Sequence, residues 1–291
     1  MTKQHEHAPV SGGQLYVVAT PLGNLADITL RALDILRGAD LVAAEDTRTT
    51  AVLLAHHGIK ARLLALHQHN EGRAADKLIE ALAAGQSVAL VSDAGTPAIS
   101  DPGALAVARV RGAGFRVTPI PGPNAAITAL SAAGMAETAF LFYGFLPAKA
   151  GARRKVLAGL RTLPHALVFY EAPHRIAECI DDIAANFESG RSVVLARELT
   201  KLFESIHRCR LDEAAAWLAA DDNNRRGEFV LIVSGAPQLE GTLDAEAERV
   251  LGLAAAELPP AKAAKLAAAI TGVPRDVLYA HALAKSGGRK D

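Results

Sequence analysis

The chain has 291 residues, half of them hydrophobic, which is long for one core and leaves room for two domains and an appendage. Its 31 basic and 31 acidic side chains cancel, which argues against a general polyanion binder while leaving a local basic face open. Two distant cysteines, Cys179 and Cys209, exclude a disulfide framework and a cysteine-rich metal site and fit a reducing cytoplasm. Aromatics at 4% argue against broad base-stacking surfaces, and no apolar run reaches membrane-spanning length.

Residues 1–13 are polar and His-bearing, lack the apolar core of a signal peptide, and are expected to form a disordered tail. A short apolar strand at 15–19 runs into Thr20-Pro21-Leu22-Gly23-Asn24. A helical pattern follows through Ile28, Leu30, Leu33, Ile35 and Leu36, with Asp27 as its expected cap. Further strands are expected at 41–44, ending on Glu45-Asp46-Thr47-Arg48, and at 62–66, ending on His67-Gln68-His69-Asn70-Glu71. Helices reach to Gly58 and span residues 73–84. The run 87–91 reads as a buried strand that stops on a loop of a dozen residues, Ser92 to Gly103. Such a strand end is where an open α/β sheet binds a ligand. Gly95 lets a ligand approach the main chain, while Pro97 and Pro102 fix local φ. Asp93 and Asp101 can accept hydrogen bonds from ligand hydroxyls or cap the next helix.

A helix at 104–111 and a strand at 115–120 close this half. Pro119-Ile120-Pro121-Gly122-Pro123-Asn124 then reads as a linker, because so many prolines cannot continue a regular element. Beyond it a helix at 125–133, a strand at 140–145, a basic helix at Arg153-Arg154-Lys155, a strand at 166–170 and a helix at 175–187 are expected. The next strands, at 193–196, 203–209 and 229–233, lie closer together than βαβ units allow, which predicts a mixed sheet with hairpins. From Gly241 the pattern is helical and Ala-rich, punctuated by Leu258-Pro259-Pro260 and Gly272-Val273-Pro274. The organisation expected is a tail at 1–13, an N-terminal α/β domain at 14–121, a C-terminal α/β domain with a mixed sheet at 122–240, and a helical appendage at 241–291.

The loop after the first strand has one glycine where the dinucleotide fingerprint needs three, and no GxxxxGK[ST] occurs. The ligand implied is held by main chain and hydroxyls without phosphates, a description that S-adenosylmethionine fits. Val18-Ala19-Thr20-Pro21-Leu22-Gly23-Asn24, the Ser92–Gly103 loop and Pro119-Ile120-Pro121-Gly122-Pro123 together resemble the tetrapyrrole-methylase superfamily. Ala44-Glu45-Asp46-Thr47-Arg48, Tyr170-Glu171-Ala172-Pro173-His174-Arg175 and Ala196-Arg197-Glu198-Leu199-Thr200-Lys201 resemble its RsmI branch, which methylates the ribose 2′-hydroxyl of a cytidine in 16S ribosomal RNA of the small subunit.

The resemblance implies the class III methyltransferase fold: two α/β domains with the donor in the interdomain cleft, plus a small C-terminal helical appendage. It implies that Pro21 and Gly23 border the cleft. Asp93, Gly95, Thr96 and Pro97 hold the donor's ribose and methionine ends, and Asn124 and Ala125 supply a second contact segment. Tyr170, Glu171, Glu198 and the strand around Val230 face the donor from the second domain. It also implies a homodimer.

A ribose hydroxyl is a poor nucleophile at neutral pH and needs a general base or a cation that stabilises the developing alkoxide. The catalytic candidates are Glu198 or Asp46 as base or orienter, with Arg48, Arg175 and Lys201 as phosphate or alkoxide partners; no metal is required. Each has a bland rival. Asp46 or Thr47 can cap a helix, His174-Arg175 can be a solvated first turn, and Glu198 with Lys201 can be a surface ion pair. His67 and His69 alternate on a strand face without a further metal ligand at suitable spacing and are assigned to the RNA path. Arg153-Arg154-Lys155 and Arg225-Arg226 are solvated faces or phosphate contacts. The last helices, with Lys262, Lys265, Arg275 and Lys285, are a dimer strap or an RNA-docking module.

The function expected is an S-adenosylmethionine-dependent 2′-O-ribose methyltransferase acting on 16S ribosomal RNA, soluble, cytoplasmic and free of the membrane. The alternatives are a tetrapyrrole or protein acceptor, or a non-catalytic ribosome-associated RNA-binding protein.

Overall fold

The computed structural model describes residues 13–237, 243 and 245–287; the expected tail, apart from Gly13, and the side chain of Lys285 lie outside the described residues. Residues 13–159 and 165–234 form one compact unit that holds two five-stranded sheets.

The first sheet is built by β1 (Gln14–Val18), α1 (Leu30–Gly38), β2 (Leu41–Ala44), α2 (Thr47–His56), β3 (Leu63–Ala65), α3 (Glu71–Ala83), β4 (Val88–Val91), α4 (Ala104–Gly112) and β5 (Arg116–Ile120). Its strands run parallel in the order β3-β2-β4-β1-β5. Strands β2 and β4 are wholly buried, as parallel strands covered on both faces must be, and so read as continuous apolar runs. Alternation along the strands splits the core in two. Tyr16, Val18, Val42 and Val91 pack with Leu33, Leu36 and Leu54 of α1 and α2, while Leu15, Leu41, Val88 and Leu90 pack with Leu78, Leu82 and Val110 of α3 and α4. Adjacent strands β1 and β4 send their connections to opposite sides of the sheet, which opens a crevice at their carboxyl ends.

One local expectation changes. Asp27 does not cap α1. Asn24 caps a single 3₁₀ turn, Leu25–Asp27, and the Thr29 hydroxyl then accepts from Ala32 N at 3.1 Å to start the helix. The strand before the linker ends as expected, with β5 running through Pro119 to Ile120. Ile120 O accepts from Ala19 N, so Ile120 faces β1 and Pro119 turns its nitrogen outward on an edge strand, where no donor is needed.

The second sheet follows from α5 (Ala125–Ala132), β6 (Phe140–Phe145), α6 (Ala150–Leu160), β7 (Ala166–Glu171), α7 (Ile176–Asn186), β8 (Ser192–Arg197), β9 (Ser205–Arg210), α8 (Ala214–Ala220) and β10 (Phe229–Val233). The order is β6-β7-β10-β8-β9; β6 and β7 are parallel and the other pairs antiparallel, with β8 and β9 a hairpin. The hairpin strand starts at Ser205 rather than 203, because two successive turns intervene: Lys201 N donates to Glu198 O and Glu204 N to Lys201 O. Arg153 is neither a solvated face nor a phosphate contact. It is buried, with Nε 2.6 Å from Asp182 Oδ2, while Arg154 takes the other carboxylate oxygen.

The helical unit comprises residues 160–164 and those from 235 onward. Its helices α9 (Ala245–Glu257), α10 (Pro260–Thr271) and α11 (Arg275–Gly287) enclose an alanine-rich core in which Ala247, Ala263, Ala264 and Ala267 pack with Leu251 and Leu278. Pro260 starts α10, and Gly272, at φ 74°, caps it in the left-handed conformation.

Candidate active site

The crevice at β1 and β4 is closed by main chain. Thr20 and Gly95 exchange both backbone hydrogen bonds, at 2.8 and 3.0 Å, and the Thr20 hydroxyl donates to Ser92 O. Gly95 sits at φ 80°, where a side chain is strained, and an added Cβ would press on Leu22 Cδ2. Thr96 Oγ1 donates to Pro123 O at 3.0 Å and ties the loop to the linker. Two non-glycine residues of this loop, Ala98 and Ser100, also have left-handed backbones, and Ser100 lies where a Cβ on Gly144 of β6 would go.

The opposing wall comes from the second sheet. Asn124 caps α5 through Ile127 N, and the Tyr170 hydroxyl, at the end of β7, accepts from Ala126 N at 3.1 Å. Glu171 is buried. Its Oε1 accepts from Ala172 N and faces Arg175 Nε at 3.2 Å, while Oε2 has no hydrogen-bond partner. After β8, Glu198 takes a left-handed φ of 52°, and its Oε1 accepts from Lys201 Nζ (2.9 Å) and Glu228 N (3.0 Å). Lys201 Nζ also reaches Glu228 Oε2 at 2.9 Å.

Between these walls lies an open cleft of about 220 Å³. Of the residues expected at the site, Gly95, Thr96, Asn124, Ala125, Tyr170, Glu171, Lys201 and Val230 line it. Pro21 and Gly23 flank the turn but leave the wall to Leu22 between them, and Pro97 is buried behind the loop. Asp93, Asp46, Arg48, Glu198 and Arg175 stand behind or beside the lining. Asp93 Oδ1 accepts from Asp46 N at 3.0 Å. Asp46 caps α2 through Arg48 N and grips the exposed Arg48 guanidinium with both oxygens. Arg175 spends its guanidinium on Glu171 and on Leu146 O, so it is held away from any phosphate. Sequence reasoning missed Ile99, Phe145, Leu199, Glu228 and Phe229, which also line the cleft. Leu22 lay inside a motif already singled out, but Phe145 and Glu228 carry no local signal. His67 and His69 are exposed, with ring centroids 6.1 Å apart.

The carboxylates divide by environment. Burial pushes Glu45 and Asp93 up, and burial together with the charge of Glu45 lifts Asp101 to about 6. Arg48 holds Asp46 down at about 2. Burial raises Glu198, but the Lys201 and Glu228 hydrogen bonds outweigh it and keep the group below the usual carboxylate range. Burial lowers Lys201, and its two carboxylate partners reverse this and hold the ammonium charged.

The family profile of the Tetrapyrrole (Corrin/Porphyrin) Methylases matches residues 14–215, and that of the RsmI C-terminal HTH domain matches residues 241–286. The chain is similar to a protein of Escherichia coli O157:H7 named ribosomal RNA small subunit methyltransferase I, 54% identical over 98% of this chain and 100% of the relative. A Pseudomonas aeruginosa protein of the same name is 51% identical over 96% of this chain and 99% of its own. Among solved structures the methyltransferase CobJ shares the fold, with a TM-score of 0.59 at 20% identity over 78% of this chain and 97% of that one. A Thermus thermophilus uroporphyrin-III C-methyltransferase complexed with S-adenyl homocysteine does so at 0.55, with 16% identity over 76% and 97%. Profile, near-full-length identity and paired sheets agree, and the chain belongs to the tetrapyrrole (corrin/porphyrin) methylases, in the branch whose members are named ribosomal RNA small subunit methyltransferase I.

Proposed function

We propose that the chain transfers the methyl group of S-adenosylmethionine to the ribose 2′-hydroxyl of a cytidine in 16S ribosomal RNA. The observation that carries this reading is 54% identity across 98% of the chain to a relative named for small-subunit ribosomal RNA methylation.

The cleft's chemistry fits the donor. Gly95 leaves bare main chain where a Cβ would crowd Leu22. Leu22, Ile99, Phe145 and Leu199 offer apolar wall, and the carboxylates at the ends of β2 and β4 favour a cation over a phosphate. When bound, the donor supplies a methyl group already activated by its sulfonium charge. Gly95, Thr96, Asn124, Ala125, Tyr170, Glu171 and Val230 hold it, with Pro21, Gly23, Asp93 and Pro97 shaping the turns from behind. The chain's remaining tasks are to align the acceptor oxygen, exclude water and accept a proton. Asp46 and Glu198 are both ion-paired and act as orienters, fixing Arg48 and Lys201 for the RNA phosphate or developing alkoxide.

Two large apolar side chains, Leu202 and Phe203, project at 90% and 67% exposure from the turn beyond Lys201 and support a homodimer. Among the described residues no helix is long and apolar enough to cross a membrane. A ribosomal substrate supports a cytoplasmic location.

Labelled methyl transfer to undermethylated small ribosomal subunits, naked 16S RNA and a porphyrin precursor tests the acceptor. Labelling of RNA or subunits is expected, and labelling of the porphyrin alone overturns the reading.

A further inference from the structure

Three acidic residues line the cleft: Asp101, Glu171 and Glu228. Glu171 is sealed against Arg175, and Glu228 is paired with Lys201. Asp101 alone of the three has no ion-pair partner among the described residues. It stands at the far end of the loop after β4, partly buried, and the groups that face it are Glu45 from the end of β2, Asp93 and the Ser92 hydroxyl from the end of β4, and Tyr170 from β7. The loop is not free to swing it away. Ala98 and Ser100 hold left-handed backbones beside it, Thr96 is bonded to Pro123 O, and Ser100 packs on Gly144. Asp101 is therefore a fixed acceptor on the wall of the cleft, facing the Ser92 hydroxyl and held by no cation among the described residues.

We propose that Asp101 is the catalytic residue that takes the proton of the acceptor hydroxyl. This assignment rests on the methyl-transfer reading above. The acceptor oxygen bonds to the methyl carbon as its O–H bond breaks, the proton passes to the Asp101 carboxylate, and the electron pair of the sulfur–carbon bond stays on sulfur. The two bases expected from sequence are poorer acceptors, since Asp46 is held at about 2 by Arg48 and Glu198 is held low by Lys201. Burial and the Glu45 charge set Asp101 at about 6, where it is ionised at neutral pH and still basic enough to receive a proton.

Single-turnover methyl transfer to undermethylated small subunits, measured from pH 5 to 9 on the full chain, tests the assignment alongside calorimetric donor affinity. The wild-type rate should fall about tenfold per pH unit below about pH 6. Asp101→Asn should lose on the order of 100-fold in rate and lose that acid limb, with donor affinity within about threefold; Asp101→Glu should recover part of the rate. An Asp101→Asn rate within about threefold of wild type with the same acid limb overturns the proposal. So does a loss of donor affinity as large as the loss of rate, which makes Asp101 a donor ligand instead. Wild-type protein that binds the donor and labels no RNA overturns the acceptor reading itself, and this assignment with it.

Discussion

Lys201 lays its aliphatic stem on the α-carbon of Gly23, so closely that a methyl group at Gly23 would overlap Lys201 Cγ. The turn after β1 and the turn after β8 thus meet, and the ammonium at the end of that stem is clamped between Glu198 and Glu228. Gly23→Ala should push the stem aside and break both contacts, lowering turnover about tenfold, roughly the weight of two such charged hydrogen bonds partly exposed to water. Because both substitutions act through the same ammonium, Gly23→Ala with Lys201→Ala should be no slower than Lys201→Ala alone. A double-mutant cycle on single-turnover rates checks this, and independent, multiplying losses count against it.

The buried pair Arg153–Asp182 makes a second prediction. Asp182→Ala removes the main partner of a guanidinium that is 1% exposed and leaves it only Glu178 at 3.6 Å and Ala148 O, at an expected cost of about 3 kcal/mol in urea unfolding. Burial raises the Asp182 carboxyl, but its bonds to Arg154 and Arg153 prevail and hold it below the usual 3.8. Its contribution is therefore complete above the ordinary carboxylate value and is lost as pH falls through the lowered one. Asp182→Asn should flatten that acid-side decline, and an unchanged stability–pH curve would show that the pair matters little.

Asp101 has the opposite sign. Its folded value of about 6 exceeds the ordinary 3.8, so the ionised form burdens the fold above about pH 6, and the burden disappears as pH falls below 3.8. Asp101→Asn should be more stable than wild type by about 1 kcal/mol at pH 8, after discounting for solvent at the cleft mouth, and equal to it at pH 4. Urea midpoints at the two pH values measure this. Such a gain in stability alongside the expected loss of rate is the trade typical of catalytic groups. No gain at pH 8 would mean that solvent reaches the carboxylate freely.

Leu202 and Phe203 occupy the two central positions of the turn Lys201–Glu204, where small polar residues are usual. Replacing both by Ser should leave the melting temperature of the fold within about 2–4 °C and shift sedimentation from dimer to monomer. An unchanged sedimentation profile would move the dimer interface elsewhere.

Much of this architecture was legible because local and tertiary forces agree. Strands β2 and β4 read as buried runs since both faces are covered, and the close spacing of the strands after α7 announced a mixed sheet. The misreadings have long-range causes. Arg153-Arg154-Lys155 looks like a solvated face until Asp182, from the next helix, reaches its first two members. Phe145, Glu228 and Phe229 reach the cleft from the ends of β6 and β10, and no spacing within the chain marks them. The Glu198–Lys201 pairing was foreseeable as an i,i+3 contact, but its third member, Glu228, was not. Its capture of Lys201 is what turns a surface pair into an anchored cation.

Pro119 leaves one more mark. Its ring nitrogen points off the rim of the first sheet, so an extended peptide arriving there finds a gap in the row of donors it would need. The rim beside the donor loops is thereby made a poor template for a further strand.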